Sequence, residues 1–349
     1  MVAEHARNLS IADFSALPSA NIFSKAFYFM TGFGHEAVMV FFVISGFLVG
    51  GKVWSRMKDA SFSWRNFLID RMSRLYAVLI VALLLGGALD WTGSRFFDAN
   101  GLYDSTSSAP IAVLSQPAVS HLGWRDFLIN ATFLQTIAGP TYGSNGPLWS
   151  LANEWWYYIL FPCSLMVFFS NRSRAKAAAV LGTVALVFFL PTSILTLFGV
   201  WLLGVAASWF QRKNLLIYFA APLFVCGLLL ARLEVIRIPY ADQFLLGAGF
   251  ALLLASLAGR ASIFPLRHIS RYLAGFSYSV YLVHFPVLLF AVSAFYTLVG
   301  YGIKMPYGPK SLLIFTMLML VAILTSWLVS LITEKNTPSL RRGMRHLLD

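Results

Sequence analysis

Charge is what this sequence has least of. Of its 349 residues only 11% are Asp, Glu, Lys or Arg, against 58% hydrophobic and 16% aromatic. A soluble globular domain carries roughly 25% charged and about 45–50% apolar residues, so too little is left here to clothe a water-facing surface. Cysteine is nearly absent. Cys163 and Cys226 both lie inside apolar runs, which excludes a disulfide framework or a metal cluster and leaves packing as their role. A phosphate-binding loop is excluded by one residue: Gly46 to Lys52 fits its first seven positions, but Val53 stands where Ser or Thr must hold magnesium, and no strand precedes it. The sequence also lacks a Gly-x-Ser-x-Gly elbow, a His-Glu-x-x-His helix and zinc-ligand spacing, so no metal is expected. No internal repeat of the transporter kind is visible.

What the sequence does have is apolar runs long enough to cross a bilayer. A transmembrane helix needs about 20 mostly apolar residues. Nine runs approach that length: 33–51, 75–91, 148–170, 177–190, 193–210, 215–231, 244–258, 272–295 and 311–333. They predict an all-α, polytopic transmembrane helix bundle forming a single domain over residues 1–349. The fourth and fifth runs are continuous apart from Pro191. As one helix they would reach about 50 Å, against a hydrocarbon core of about 30 Å. Two short helices with a turn at Pro191-Thr192 are therefore expected. The longest piece between runs, 92–147, is rich in Gly, Ser, Pro and Asp and reads as an extracytoplasmic loop. Within it 127–137 is apolar but too short to cross, and suits an interfacial or re-entrant helix.

The 26 Lys and Arg outnumber the 14 Asp and Glu, for a net charge of +12. In a soluble protein that excess would raise nucleic acid as a partner; here it sorts by side of the membrane. Threaded alternately through the nine runs, 18 of the 26 fall on one side, in 52–74, 172–176, 212–213, 260–271 and 335–345. Cytoplasmic loops carry the Lys and Arg excess of membrane proteins. That side is then cytoplasmic, the C-terminus lies inside, residues 1–32 begin outside, and no nucleic acid is expected. The first 20 residues lack the apolar core of a signal peptide.

A charged residue inside a span costs about 2.5–3.5 kcal/mol on insertion scales, so each one needs a reason. Glu154 follows Trp149, Ser150 and Asn153 near the start of the third run and precedes four aromatics. Two readings stand: a carboxylate facing an interior cavity, or one within reach of water at an interfacial aromatic belt. His284 lies near the middle of the eighth run, with Tyr281 and Tyr278 one and two turns back. A polar stripe at that depth faces the bundle or a wet cavity, as a functional group or a satisfied structural one. Arg71 and Arg74, three apart, share a helix face at the cytoplasmic mouth of the second run. Paired guanidiniums suit bidentate phosphate recognition, and they also serve as ordinary inward anchors.

Four pieces of sequence, in order, carry a family likeness. They are Val40-Phe-Phe-Val-Ile-Ser45-Gly46-Phe-Leu48; Arg71-Met-Ser-Arg74 opening the next run; Pro147-Leu-Trp149-Ser150-Leu-Ala-Asn153-Glu154, ending in Phe161-Pro162; and Tyr278-Ser-Val-Tyr281-Leu-Val-His284-Phe-Pro286. Ile332-Thr-Glu334-Lys335 resembles the closing edge of the last span. Together they make the chain resemble acyltransferase family 3, integral membrane proteins that O-acylate carbohydrates and other hydroxyl acceptors at the cell envelope. Departures are visible: Met39 and Trp155 stand where the family usually has acidic residues. His5 takes the position of a histidine that the family carries on its first span, whose Arg-bearing part is absent here. The expectation is nine spans plus the stub of a truncated first one.

The resemblance implies a transferase in the inner membrane of a bacterium, moving a short acyl group from cytoplasmic acetyl-CoA to a hydroxyl of an envelope or secreted carbohydrate or glycolipid. It assigns the donor's phosphates to Arg71 and Arg74. His5 is the expected base or acyl relay, with His284 and Glu154 as further catalytic candidates. Trp149, Ser150, Asn153 and Tyr281 are expected to contact the acceptor. Two alternatives stay open: a transporter or flippase for a glycan or small metabolite, and a homologue impaired by its truncated start.

Overall fold

The computed structural model describes residues 1–17, 19–107, 114, 116–210, 217–233, 238–258, 267–300 and 304–348. The structure is 79% helix, with no strand among the described residues, so the fold class is all-α. In chain order the α-helices are α1 (Val2–Ser10), α2 (Ile22–Met30), α3 (Gly34–Ser45), α4 (Gly51–Lys58), α5 (Trp64–Phe96), α6 (Trp124–Ala131), α7 (Trp149–Phe169) and α8 (Ser173–Phe189). There follow α9 (Thr192–Trp209), α10 (Ile217–Arg232), α11 (Ala241–Leu257), α12 (Arg267–Ala274), α13 (Ser277–Val299), α14 (Pro309–Ile332) and α15 (Thr337–Leu348). Among the described residues five helical stretches are long and apolar enough to cross a membrane: Ile22–Lys58, Trp64–Phe96, Thr192–Trp209, Ser277–Val299 and Pro309–Leu347. Four of the cations in the charge tally, Arg212, Lys213, Arg237 and Arg260, lie outside the described residues.

The break at Pro191 falls where the sequence puts it, between α8 and α9. Proline has no N–H to continue a helix and disfavours helical backbone in the residue before it. Two boundaries differ from expectation. The run 127–137 is helical only to Ala131, because the chain turns back through left-handed backbone at Phe133 (φ 58°) and Thr136 (φ 66°). The run that begins at 272 is interrupted at Gly275-Phe276, so α13 starts at Ser277.

The chain packs as two units, each assembled from separated segments. The first comprises Met1–Gly34, Trp64–Trp149 and Leu266–Asp349. Lipid is as apolar as leucine, so helices in a bilayer associate through close packing and hydrogen bonds rather than through escape from water. In this unit Ala6 and Leu9 of α1 pack against Phe285, Leu288, Leu289 and Val292 of α13 and Leu318 and Ala322 of α14. Nine residues are too few to hold a helix alone. α1 is therefore tied down at its end: Ala12 N–H donates to Met305 O (2.8 Å), Met305 N–H to Ser10 O (3.1 Å), and Lys304 pairs with Asp13 (2.8 Å). Buried Arg7 adds a link to α2, donating to Tyr28 O (3.1 Å) and Thr31 Oγ1 (3.2 Å).

The second unit comprises His35–Ser63 and Ser150–Pro265. A π-helical turn, Gly46–Gly50, carries α3 into α4 and packs on α9. A Cβ on Gly46 would stand 2.0 Å from Trp201 O, and one on Gly204 would stand 2.0 Å from Val43 O. Backbone meets backbone there, which only glycine permits. The stretch that imitates a nucleotide loop is a small-residue helix contact.

Candidate active site

Within the first unit, α1 and α13 bring together two histidines that are 279 residues apart in sequence. Nδ1 of His5 lies 2.9 Å from Nε2 of His284. The ring planes are within 4° of parallel with centroids 5.1 Å apart. That separation is the N···N distance plus one ring radius on each side, so the rings meet edge to edge along a hydrogen bond rather than face to face. His284 is fully buried, His5 is 9% exposed, and the Phe285 ring stands edge-on to His5 at 5.1 Å.

The proton positions follow from the partners. Nδ1 of His284 lies 2.9 Å from both Val280 O and Tyr281 O. Carbonyl oxygens only accept, so Nδ1 of His284 carries a hydrogen. In a neutral imidazole the other nitrogen is then an acceptor, and Nε2 of His284 receives the N–H of His5 Nδ1. The lone pair of neutral His5 is thereby fixed on its own Nε2. The pair is a two-step tautomer lock that begins at the α13 backbone and ends at one basic nitrogen.

α13 is itself positioned by side chains to which the sequence reading gave no positioning role. Pro286 lacks the N–H that would bond to the carbonyl four residues back, and that carbonyl, Leu282 O, accepts Asn145 Nδ2 instead (2.8 Å). Tyr281, an expected acceptor contact, donates through Oη to Pro147 O (2.7 Å) and thereby also ties α13 to the loop. At the start of α13 the Glu334 carboxylate accepts Ser279 N–H (2.8 Å), in the first turn where the helix dipole favours an anion. Asp90 of α5 is buried and accepts both Ser144 N–H and Ser144 Oγ–H (each 2.7 Å). Asp90 is a charge inside an apolar run and meets the same test that singled out Glu154; Pro286 is the sequence signal for Asn145.

Arg71 and Arg74 lie on α5, Arg71 half-buried and Arg74 exposed. Arg74 acts electrostatically on the Glu334 carboxylate that caps α13. Beside them Asp70 pairs with Arg341 (3.2 Å) and Arg345 (3.4 Å) of α15, bringing the basic C-terminal helix onto the same end of α5. Trp149 lines an open cavity of about 360 Å³ formed by the loop that precedes it.

The remaining expected site residues belong to the second unit. Glu154 Oε1 accepts Ser45 Oγ–H (3.0 Å) and the hydroxyl of Tyr158, and Trp201 Nε1–H donates to Ser45 Oγ (3.2 Å). Asn153 is buried and hydrogen-bonded to the Tyr157 hydroxyl, which also donates to Ile194 O (3.0 Å). Ser150 is fully buried on the same helix.

Comparison with known proteins agrees with the motif reading. An uncharacterized protein of Haemophilus influenzae is 28% identical over 158 residues, which are 45% of this chain and 60% of that protein. The chain thus spans about 60% of the length of that relative. No solved structure matches. The family model described as an acyltransferase domain matches residues 8–331, a span that holds His284, Arg71, Arg74, Glu154 and Trp149 but not His5 or Glu334. With nearly the whole chain matched and the motifs in order, the chain belongs to acyltransferase family 3.

Proposed function

We propose that the protein is an integral membrane acyltransferase that moves a short acyl group, acetyl in the simplest case, from cytoplasmic acyl-CoA to a hydroxyl of an envelope or secreted carbohydrate. The observation that supports this most is the His5–His284 pair. An O-acyl transfer needs a base for the acceptor hydroxyl and an acid for the leaving thiolate, and a neutral histidine serves as both. In the proposed step His5 Nε2 takes the hydroxyl proton as the oxygen attacks the thioester carbonyl. The C–S bond breaks, and the proton passes from His5 to the thiolate. His284 stabilises the charge on His5 by accepting from its Nδ1 throughout. Arg71 and Arg74 bind the donor's phosphates at the basic end of α5, the end that the Lys and Arg distribution assigns to the cytoplasm. The nine apolar runs are read as nine spans of the bacterial inner membrane, with the C-terminus on the cytoplasmic side. Glu154 and Asn153 keep a supporting role, through the network around Ser45 and Tyr158.

The test is transfer of label from radiolabelled acetyl-CoA to envelope carbohydrate in membranes with and without the protein. Protein-dependent labelling that disappears with His5→Ala is expected. Labelling that is equal with and without the protein refutes the reading, and so does full labelling by the His5→Ala variant.

A further inference from the structure

The cavity at Trp149 is lined by the segment that precedes α7 and by the first residue of that helix, and its lining has a definite chemical character. Gln116, His121, Thr136 and Thr141 bring amide, imidazole and hydroxyl groups to the lining, Trp149 brings an indole, and Ser144 lies there fully buried with its hydroxyl given to Asp90. No Lys, Arg, Asp or Glu lines it among the described residues. A phosphate-bearing or cationic ligand would find no counter-charge beyond the His121 imidazole, which Asp126 already faces, whereas a ring of hydroxyl groups would meet both donors and acceptors, with an aromatic surface for its C–H face. At about 360 Å³ the cavity is at the small end of the range of about 300–1,000 Å³ for ligand pockets.

Its walls are built rather than incidental. Ser144 is held twice by buried Asp90. Gly143 N–H donates to His121 O (3.0 Å), and Asn130 Nδ2 donates to Asp126 O (2.9 Å) and Pro140 O (3.0 Å). Gln135 Nε2 donates to Leu148 O (2.9 Å), just before Trp149. The His121 ring is fixed from both sides, with Nδ1 3.5 Å from Asp126 Oδ2 and Nε2 2.5 Å from Gln116 Oε1. The same wall is hydrogen-bonded to the helix that carries His284, through Asn145 to Leu282 O and through Pro147 O to Tyr281.

We infer that this cavity is the seat of the acceptor: it takes one neutral, hydroxyl-rich sugar ring against Trp149, and His121, aligned by Asp126, holds the Gln116 amide that selects among hydroxyl patterns. This rests on the acyl-transfer reading for its purpose but not for its test. Asn145 and Pro147 couple the seat to α13, so an occupied cavity is held in register with the histidine pair. His121 here is a positioning residue; it takes no proton in the transfer step.

Binding is read without any acyl donor, by saturation-transfer NMR on the full chain in lipid nanodiscs. The probes are the methyl β-glycosides of glucose, galactose and N-acetylglucosamine, with inorganic phosphate present in a parallel sample as a competitor. Saturation transfer to at least one glycoside is expected, undiminished by phosphate. Thr141→Trp, which fills the cavity, abolishes it, and Trp149→Ala lowers affinity about tenfold. His5→Ala leaves it unchanged. If Thr141→Trp fails to fold, Trp149→Ala decides. No transfer to any of the three glycosides in the unmodified protein overturns the assignment, as does wild-type affinity in a folded Trp149→Ala. Asp126→Asn separates the His121 role: the acceptor's KM rises while kcat holds, and a fall in kcat alone contradicts it. If acetyl transfer is absent while glycoside binding behaves as described, the transferase reading falls and the sugar seat stands.

Discussion

His5 and Glu154 are both buried polar residues on helices, one in each unit, and their surroundings use them differently. Around Glu154 the hydrogen bonds converge: Ser45 and Tyr158 donate to one carboxylate oxygen, and Trp201 supports Ser45 from behind. Around His5 they run in one direction: His5 Nδ1–H donates to His284 Nε2, and His284 Nδ1–H donates to the α13 backbone carbonyls. A convergent network satisfies its acceptor and fixes packing. A directed one leaves basicity at its far end, here Nε2 of His5. On the proposed mechanism, the direction of the donors, and not burial or polarity alone, separates the two residues.

The comparison breaks most sharply at the two residues themselves. His5→Ala is expected to lower acetyl transfer by at least about 100-fold, the scale of a lost general base. Glu154→Gln should instead lower the melting temperature while acetyl transfer falls by less than that. A Glu154→Gln variant as inactive as His5→Ala, yet equally stable to heat, would dissolve the distinction.

Next in size are the donor-side arginines. Arg71→Ala with Arg74→Ala should raise the KM for acetyl-CoA by at least about 100-fold, since each charge-assisted phosphate contact contributes about 1.5–3 kcal/mol. An unchanged KM would remove them from the donor site. The lock itself is sharpened by two variants of His284. Gln retains an oxygen that accepts from His5 Nδ1, so His284→Gln should stay within about tenfold of wild type, one hydrogen bond's worth. His284→Ala should lose more. Equal rates for the two would show that His284 does not act through His5.

The smallest expected effect tests the tie between loop and helix. Asn145→Ala leaves Leu282 O buried without a donor and should destabilise the protein by about 1–3 kcal/mol. Adding Pro286→Ala restores a helical N–H to that carbonyl and should recover part of the loss. Thermal unfolding of the single and double variants measures it, and purely additive destabilisation would contradict the pairing.

Much of this fold is legible in the sequence because bilayer length and side-chain hydropathy act locally. Each apolar run is helical over most of its described length, and Pro191 breaks the pair it interrupts. The ends of runs are less legible, because residues such as Phe133 or Gly275 end a helix through turn geometry that hydropathy does not register. The site divides the same way. His284 and Glu154 stand out as polar residues in apolar surroundings. His5 does not, because its role depends on a partner 279 residues away. Asn145 and Glu334 act through backbone groups of a distant helix, a pairing that no local pattern encodes. The cavity at Trp149 is made by side chains scattered over a loop with no periodicity to read.

The most direct measurement of the central claim is the protonation of the His5 ring nitrogens, read by nitrogen-15 NMR of histidine-labelled full-length protein in nanodiscs. The His5 signals are assigned by their loss in His5→Gln. At neutral pH the expected result is a protonated Nδ1 and an unprotonated, pyridine-like Nε2, with the tautomers mixing in His284→Ala and the order restored in His284→Gln. A proton on Nε2 of His5 in the unmodified protein, or a tautomer indifferent to both substitutions, would contradict the account.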